Sequence, residues 1–194
     1  MKTLGIIFGN LHDKDVGELT AVRSLASVPF GGRFRLIDFV LSNMVNSGIT
    51  KVGIITKTNY HSLMDHVGNG KHWDLSRKNG GLIVLPPYGD GDMSLFKSRF
   101  GTIKNIRQFI SHSDEEYVVM SDCDNVCNIN LSDVIQSHIE NHSDITVVVR
   151  KKGARKQKAA HHYYHRRRRQ SDRGRQHRQG ERREHRVCKY SRNE

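Results

Sequence analysis

The chain has 194 residues, an ordinary size for a single domain, and a formal net charge of +12. The charge is confined to one end, because residues 151–194 contain 17 Lys and Arg against 4 Asp and Glu. Residues 1–150 contain 15 Lys and Arg against 16 Asp and Glu, so a basic nucleic-acid-binding surface spread over the whole chain is excluded.

Strand and helix patterns alternate along residues 1–150. Short continuous apolar runs predict buried strands, and apolar residues three or four positions apart predict helices. In the longest helical pattern Ile37, Leu41 and Met44 are in phase, and Gly48 marks the expected helix end. In chain order the predicted elements are a strand at 3–8, a helix at 33–47, a strand at 51–56, a helix at 59–67, a strand at 81–87, a helix at 103–111, a strand at 116–121, a helix at 131–142 with Ser132 or Asp133 near its start, and a strand at 144–150.

This order of elements predicts an α/β domain with a mostly parallel sheet. Ligands of such sheets bind in the crevice at the carboxyl ends of the strands. We therefore expect the functional residues of this chain in the loops at 9–32, 56–60 and 121–130.

The basic tail at 151–194 begins where the periodic pattern stops. It contains no Leu, Ile, Met, Phe or Trp. Such a segment cannot bury enough apolar surface to offset the entropy lost on ordering, so we expect a disordered tail.

Two origins are compatible with the composition of this tail. A shift of reading frame in an A-rich gene turns glutamate codons into lysine and arginine codons, which would make 1–150 the N-terminal portion of a longer domain. We favour this origin, because the composition changes abruptly and without a linker. The alternative is a nucleic-acid-binding protein, since a tail of this charge binds polyanions non-specifically by counterion release.

The apolar runs and the cysteines bear on the cellular compartment. Neither the N-terminal stretch MKTLGIIFGN nor any later apolar run is long enough for a signal peptide or a membrane span. Cys123, Cys127 and Cys188 fit neither a metal knuckle nor an even-numbered disulfide framework. These features favour a cytoplasmic protein with reduced thiols.

The stretch SVPFGGRFRLIDFVLSNMVNSGI, at 27–49, strongly resembles the bacterial glucose-1-phosphate adenylyltransferases, also called ADP-glucose pyrophosphorylases. HSLMDHV, HWDL, VLPP, FGTIKNI and CDNVCNIN are also similar to segments of that family. The resemblance extends from residue 3 to about residue 150. It implies the N-terminal part of a Rossmann-like nucleotidyltransferase domain.

The family joins ATP to glucose 1-phosphate, giving ADP-glucose and pyrophosphate for glycogen synthesis. This chemistry consists mainly of positioning and charge neutralisation. It needs a glycine-rich loop for the triphosphate, basic side chains beside that loop, and a carboxylate that holds Mg²⁺.

The phosphate-binding loop of the family is degraded in this chain. Where the family has GGxGxRLxPLT, the chain has FGNLHDKDVGELT, which keeps Gly9 and lacks the glycine run and its arginine. The resemblance implies nucleotide contacts at Gly9 and Asn10. It also implies a catalytic role for Arg23, whose partner lysine is replaced by Leu25.

The later segments keep more of the family pattern. Gly101 and Thr102 match nucleotide-binding positions, and Asp124 falls on the aspartate that binds Mg²⁺ in the family. The alternative for Asp124 is a strand-end aspartate that accepts hydrogen bonds from loop amides. For Arg35 we favour a structural role at the start of the helix.

A site that has lost its glycine loop, arginine and lysine is poorly equipped for catalysis, because each lost charge stabiliser typically costs a factor of about 10²–10³. The pattern resembles the regulatory, non-catalytic branch of the family. That resemblance implies a chain that is inactive alone and that pairs with a catalytic subunit in a heterotetramer. Its ligands would be ATP and glucose 1-phosphate, or an effector.

Overall fold

The computed structural model describes residues 2–86, 99–150, 161–166 and 185–189. Each strand and helix predicted within residues 1–150 is present, with two differences: a short hairpin at 29–35 was not predicted, and the helix predicted at 103–111 is two short helices at 99–105 and 107–111. The strands are β1 (Thr3–Phe8), β2 (Pro29–Phe30), β3 (Phe34–Arg35), β4 (Lys51–Ile55), β5 (Gly81–Leu85), β6 (Tyr117–Asp122), β7 (Ile145–Arg150), β8 (His161–Arg166) and β9 (His185–Lys189). The helices are α1 (Leu36–Asn46), α2 (His61–Val67), α3 (Arg99–Asn105), α4 (Arg107–Ser111) and α5 (Leu131–Glu140).

One sheet organises the molecule, with the strand order β5-β4-β1-β6-β9-β7-β8. β1 pairs in parallel with β4 and β6, and β4 pairs in parallel with β5. β9 is antiparallel to both β6 and β7, and β8 is antiparallel to β7. Five of the seven strands therefore run in one direction, and only β8 and β9 run against them. The prediction of an α/β domain with a mostly parallel sheet is confirmed.

Two segments of the basic tail, β8 and β9, form strands where the composition indicates disorder. Their pairing uses backbone N–H and C=O groups, which every residue except proline supplies, and antiparallel neighbours need no apolar side chains for these bonds. β9 lies between β6 and β7, so it also joins β7 to the rest of the sheet. The remainder of the tail, at 151–160, 167–184 and 190–194, lies outside the described residues.

Apolar side chains pack on both faces of the sheet, as expected for a parallel sheet buried between helices. All six residues of β1 are buried. Ile7 packs with apolar residues of α1, α2 and α5, whereas Leu4, Ile6 and Phe8 pack with apolar residues around α4. A Cβ atom at Gly5 would lie 2.7 Å from the sulfur of Met44, so this glycine allows α1 to approach β1 closely.

The ends of the helices differ in detail from the sequence pattern. α5 is capped by Asn130, whose side chain accepts a hydrogen bond of 3.1 Å from the backbone N–H of Ser132. The helix expected at 33–47 begins at Leu36, after the short β2–β3 hairpin. Among the described residues, every helix is too short or too polar to cross a membrane.

Candidate functional site

The three loops predicted to carry function meet at the carboxyl ends of β1, β4 and β6. Asn10 joins two of them, because its Nδ2 donates to the carbonyl of Thr58 (3.3 Å) and its Oδ1 accepts from the N–H of Lys57 (2.9 Å). The third loop is held by the N–H of Cys123, which donates to the carbonyl of Phe8 (3.1 Å). The loop that contains Asn10 and the loop that contains Asp124 therefore lie side by side.

Gly9 is in the position expected for a phosphate-binding glycine, but its backbone groups already have partners. Its N–H donates to the carbonyl of Ile55 (2.9 Å), and its carbonyl accepts from the N–H of Ala26 (3.3 Å). A Cβ atom at this position would lie 3.0 Å from the same carbonyl oxygen of Ile55. The glycine therefore serves the close packing of β1 and β4, and its N–H is not presented to a ligand.

The loop after β1 folds back on itself through Asp13. One carboxylate oxygen accepts from Nδ2 of Asn10 (2.5 Å), and the other accepts from the N–H of Leu25 (3.0 Å). The hydroxyl of Thr20 donates to the carbonyls of Asp13 (2.6 Å) and Gly17 (3.0 Å). Short 3-10 turns at 13–15 and 17–20 complete this compact loop.

The two positions that are basic in the family's catalytic segment, 23 and 25, differ in their surroundings in this chain. Leu25 is only 3% exposed and belongs to the core that contains Ile7 and Leu63. Arg23 is half-buried, and within the described part of the chain its guanidinium forms no hydrogen bond or ion pair. The side chain at the position of the family's lysine is thus part of the hydrophobic core. Arg23 keeps its charge, and none of the described residues pairs with it.

Arg35 has the structural role that the sequence indicates. Its backbone N–H donates to the carboxylate of Asp38 (3.0 Å), which closes the first turn of α1. Its guanidinium donates to the carbonyl and, over 2.9 Å, to the hydroxyl of Ser62. Arg35 therefore ties the start of α1 to α2.

A cluster of charged side chains lies at the end of β6. Asp122 is 1% exposed, and the Arg99 guanidinium donates to both oxygens of its carboxylate, with an Nε–Oδ1 distance of 3.2 Å. Nε2 of His12 lies 3.6 Å from Oδ2 of Asp122, and its Nδ1 lies 3.2 Å from the carboxylate of Asp15. Potential ligand atoms of His12, Asp122 and Asp124 all lie within 4.8 Å of one another.

Asp122 and Arg99 are two residues of the candidate site that the sequence analysis does not identify. An aspartate at the carboxyl end of a predicted parallel strand is a usable signal for Asp122. Arg99 gives no comparable signal, because it lies 23 positions earlier in the chain and precedes the predicted helix at 103–111. Only the packing of α3 beside β6 brings the two side chains together.

The Mg²⁺ ion implied at Asp124 fits this arrangement poorly. Mg²⁺ demands near-octahedral oxygen coordination and retains several waters. Here both oxygens of Asp122 are bound by a cationic guanidinium, and the third potential ligand is the imidazole of His12. The role of Asp124 as a metal ligand stays a prediction.

Gly101 and Thr102 lie in α3, the helix that begins at Arg99. Arg99 reaches the end of β6, so the first turn of α3 is beside the candidate site. Thr102 is 1% exposed, and its carbonyl accepts from the N–H of Ile106 (3.3 Å). Its side chain is therefore covered by the fold, and nucleotide contacts at both residues stay predictions.

The pKa of the Cys123 thiol is affected by the negative charge of this region. Its pKa is raised well above the ordinary value by burial first, and then by the carboxylates of Asp124, Asp122 and Asp13. The pKa of Cys127, which is only partly buried, is raised by desolvation. Neither of these two cysteines is in a disulfide.

We expect these thiols to react at different rates in a chain carrying Cys188→Ser. At pH 8 a disulfide reagent should modify Cys127 at least about tenfold faster than Cys123, since each unit of pKa elevation lowers the thiolate fraction tenfold and burial blocks access. Mass spectrometry of timed samples measures the two rates, and both thiols should react quickly in concentrated guanidinium chloride. Rapid modification of Cys123 in the folded chain would contradict the burial of this loop.

A separate groove of about 1020 Å³ runs along α1. Its walls come from α1, the segment at 66–74 and residues 127–128. Its lining includes none of the residues predicted for the nucleotide or metal site, so the groove does not enlarge that site.

Comparison with known proteins gives a consistent set of relatives. Residues 16–161 match the family described as Nucleotidyl transferase. The chain is 45% identical over 152 residues to the glycogen biosynthesis protein GlgD of Geobacillus stearothermophilus, which covers 76% of this chain and 43% of that protein. It is 43% identical over 146 residues to GlgD of Bacillus subtilis, with 75% and 42% covered. It is 37% identical over 146 residues to the glucose-1-phosphate adenylyltransferase of Pseudothermotoga lettingae, with 75% and 35% covered. The chain thus spans less than half the length of these relatives.

Proposed function

The chain belongs to the nucleotidyl transferase family, and on that basis we propose that it acts in glycogen biosynthesis as a regulatory subunit of glucose-1-phosphate adenylyltransferase. Its partner would be a catalytic subunit of the same family. It would respond to ATP, glucose 1-phosphate or an effector without performing the transfer itself. Its similarity to GlgD and to glucose-1-phosphate adenylyltransferase supports a role in glycogen biosynthesis.

The closed loop after β1 is the observation that carries the regulatory assignment. A triphosphate is held by several backbone N–H groups that point into one concavity. In this chain the N–H of Gly9 is bonded to Ile55, and the carboxylate of Asp13 draws the loop inward onto the N–H of Leu25. This arrangement supports a site that no longer grips the phosphates of ATP.

The charge of the site supports the same proposal. Transfer chemistry on phosphates requires cations or donors aimed at developing negative charge. At the ends of β1 and β6 the described side chains include four carboxylates, and Arg99 is already paired with the buried carboxylate of Asp122. The carboxylates of this region are Asp13, Asp15, Asp122 and Asp124.

The purified chain is expected to make negligible ADP-glucose from ATP, Mg²⁺ and glucose 1-phosphate. Loss of two charge stabilisers alone should reduce turnover by a factor of about 10⁴ or more relative to a catalytic family member. Coupled detection of pyrophosphate release measures this rate. Turnover within a factor of about ten of a catalytic relative would overturn the assignment as non-catalytic.

The regulatory part of the proposal needs a second measurement. The chain should co-elute with the catalytic glucose-1-phosphate adenylyltransferase of the same organism and shift the effector concentration that gives half-maximal activity. A heat-denatured sample of the chain is the control. If the native chain neither associates with the catalytic enzyme nor changes its response to effectors, the regulatory role is wrong.

A further inference from the structure

We infer that Arg99 is a built-in cation at the carboxyl end of β6, standing in for a divalent metal ion that the chain consequently does not need there. The inference rests on the proposed non-catalytic function, because a site that transfers no nucleotidyl group does not require an exchangeable cation. It concerns the charge balance of the fold and is tested without any activity measurement.

The contact between Arg99 and Asp122 has the features of a compensating buried pair. The Asp122 side chain is 1% exposed, and the Arg99 side chain is 29% exposed. The guanidinium engages both carboxylate oxygens, which is the strong bidentate geometry of arginine with a carboxylate. A carboxylate this deeply buried has to be paired or metal-bound, and arginine supplies that partner from α3.

A second nitrogen group converges on the same carboxylate from the loop after β1. Nε2 of His12 is 3.6 Å from Asp122, and ligand atoms of His12, Asp122 and Asp124 lie within 4.8 Å of one another. This spacing is one that a single cation can bridge. The guanidinium already occupies the coordinating oxygens of the most buried member of the group.

A metal ion that entered this cluster would have to displace Arg99 from Asp122. Breaking a buried charge pair should weaken metal affinity by a factor of about 10²–10³ compared with the same ligands without the arginine. Removing the guanidinium should therefore uncover a site with two carboxylates and one imidazole. Such a ligand set suits Mn²⁺ among the divalent cations that can be followed spectroscopically.

Titration with Mn²⁺, followed by electron paramagnetic resonance of the free ion, tests the inference on the full chain. The variants are Arg99→Ala and Arg99→Gln, the second keeping a neutral hydrogen-bond donor near Asp122. The matched control is Arg77→Ala, which removes an arginine from an exposed pair with Asp74. Comparing variants with the unaltered chain cancels weak binding by the 12 histidines of the sequence.

We expect the unaltered chain and Arg77→Ala to bind Mn²⁺ only in the millimolar range, and at least one Arg99 variant to gain tenfold or more in affinity. Mn²⁺ should also raise the melting temperature of that variant and not that of the control. Micromolar binding by the unaltered chain would overturn the inference even if both Arg99 variants failed to fold. The inference would be overturned as well if Arg99→Ala, Arg99→Gln or both fold and no folded Arg99 variant gains affinity. Either result would leave the proposed regulatory function standing, which only the turnover and association experiments decide.

Discussion

Replacing Arg99 with alanine is expected to lower the free energy of unfolding by about 3–5 kcal/mol, because it leaves a buried carboxylate without its partner. Asp122 is 1% exposed, so water cannot take over the lost hydrogen bonds. Urea denaturation followed by circular dichroism measures the loss. The experiment should be done without divalent cations, which would stabilise the variant if they entered the cluster.

Two further variants separate this effect from a general loss of an arginine. Arg77→Ala removes a similar bond to Asp74, but the two side chains are 43% and 83% exposed, so the cost should stay below about 1 kcal/mol. Adding Asp122→Asn to Arg99→Ala removes the uncompensated charge and should recover part of the stability. Equal and small losses for Arg99→Ala and Arg77→Ala would show that the buried pair does not stabilise the fold.

Replacing Leu25 with lysine is expected to destabilise the chain by about 3–5 kcal/mol and to restore no ADP-glucose synthesis. Leu25 is 3% exposed and packs in the main core, so the substitution removes apolar packing and forces an amine toward an apolar environment. The loop after β1 would still lack the family's glycine run and its arginine, and Asp13 would still bind the side chain of Asn10. Denaturant unfolding and pyrophosphate release measure the two outcomes.

The matched control for this position is Leu25→Met, which conserves volume and apolar character and should cost less than about 1.5 kcal/mol. Its turnover should equal that of the unaltered chain. A Leu25→Lys chain with undiminished stability and at least tenfold higher turnover would mean that the position opens to the nucleotide site. In that case the site retains more of the family's chemistry than its loop indicates.

The alternation of strands and helices could be predicted from the sequence because its signals are local. An apolar run such as Thr3–Phe8 is buried on both faces of a parallel sheet, and the structure confirms every residue of it as buried. The proximity of the loops predicted to carry function could also be predicted, because the carboxyl ends of parallel strands lie at the same edge of the sheet. The bonds from Asn10 to 57–58 are the result.

The loss of the family's loop glycines and of its lysine was also visible in the sequence alone. The hydrogen bonds that the replacing residues form could not be predicted from the sequence. Asp13 binds the side chain of Asn10 and the N–H of Leu25, which is 12 positions away in the chain. Hydrogen bonds of this kind leave no periodic pattern, because they depend on how a loop closes in space.

Tertiary structure alone decided the charge balance at the end of β6 and the fate of two segments of the tail. Arg99 meets Asp122 only because α3 packs beside β6, and no spacing in the sequence encodes that contact. β8 and β9 form because β6 and β7 present backbone hydrogen-bonding groups to them, although their composition by itself favours disorder. Local composition governs whether a segment orders on its own, whereas the open edges of an existing sheet can order a segment that would not.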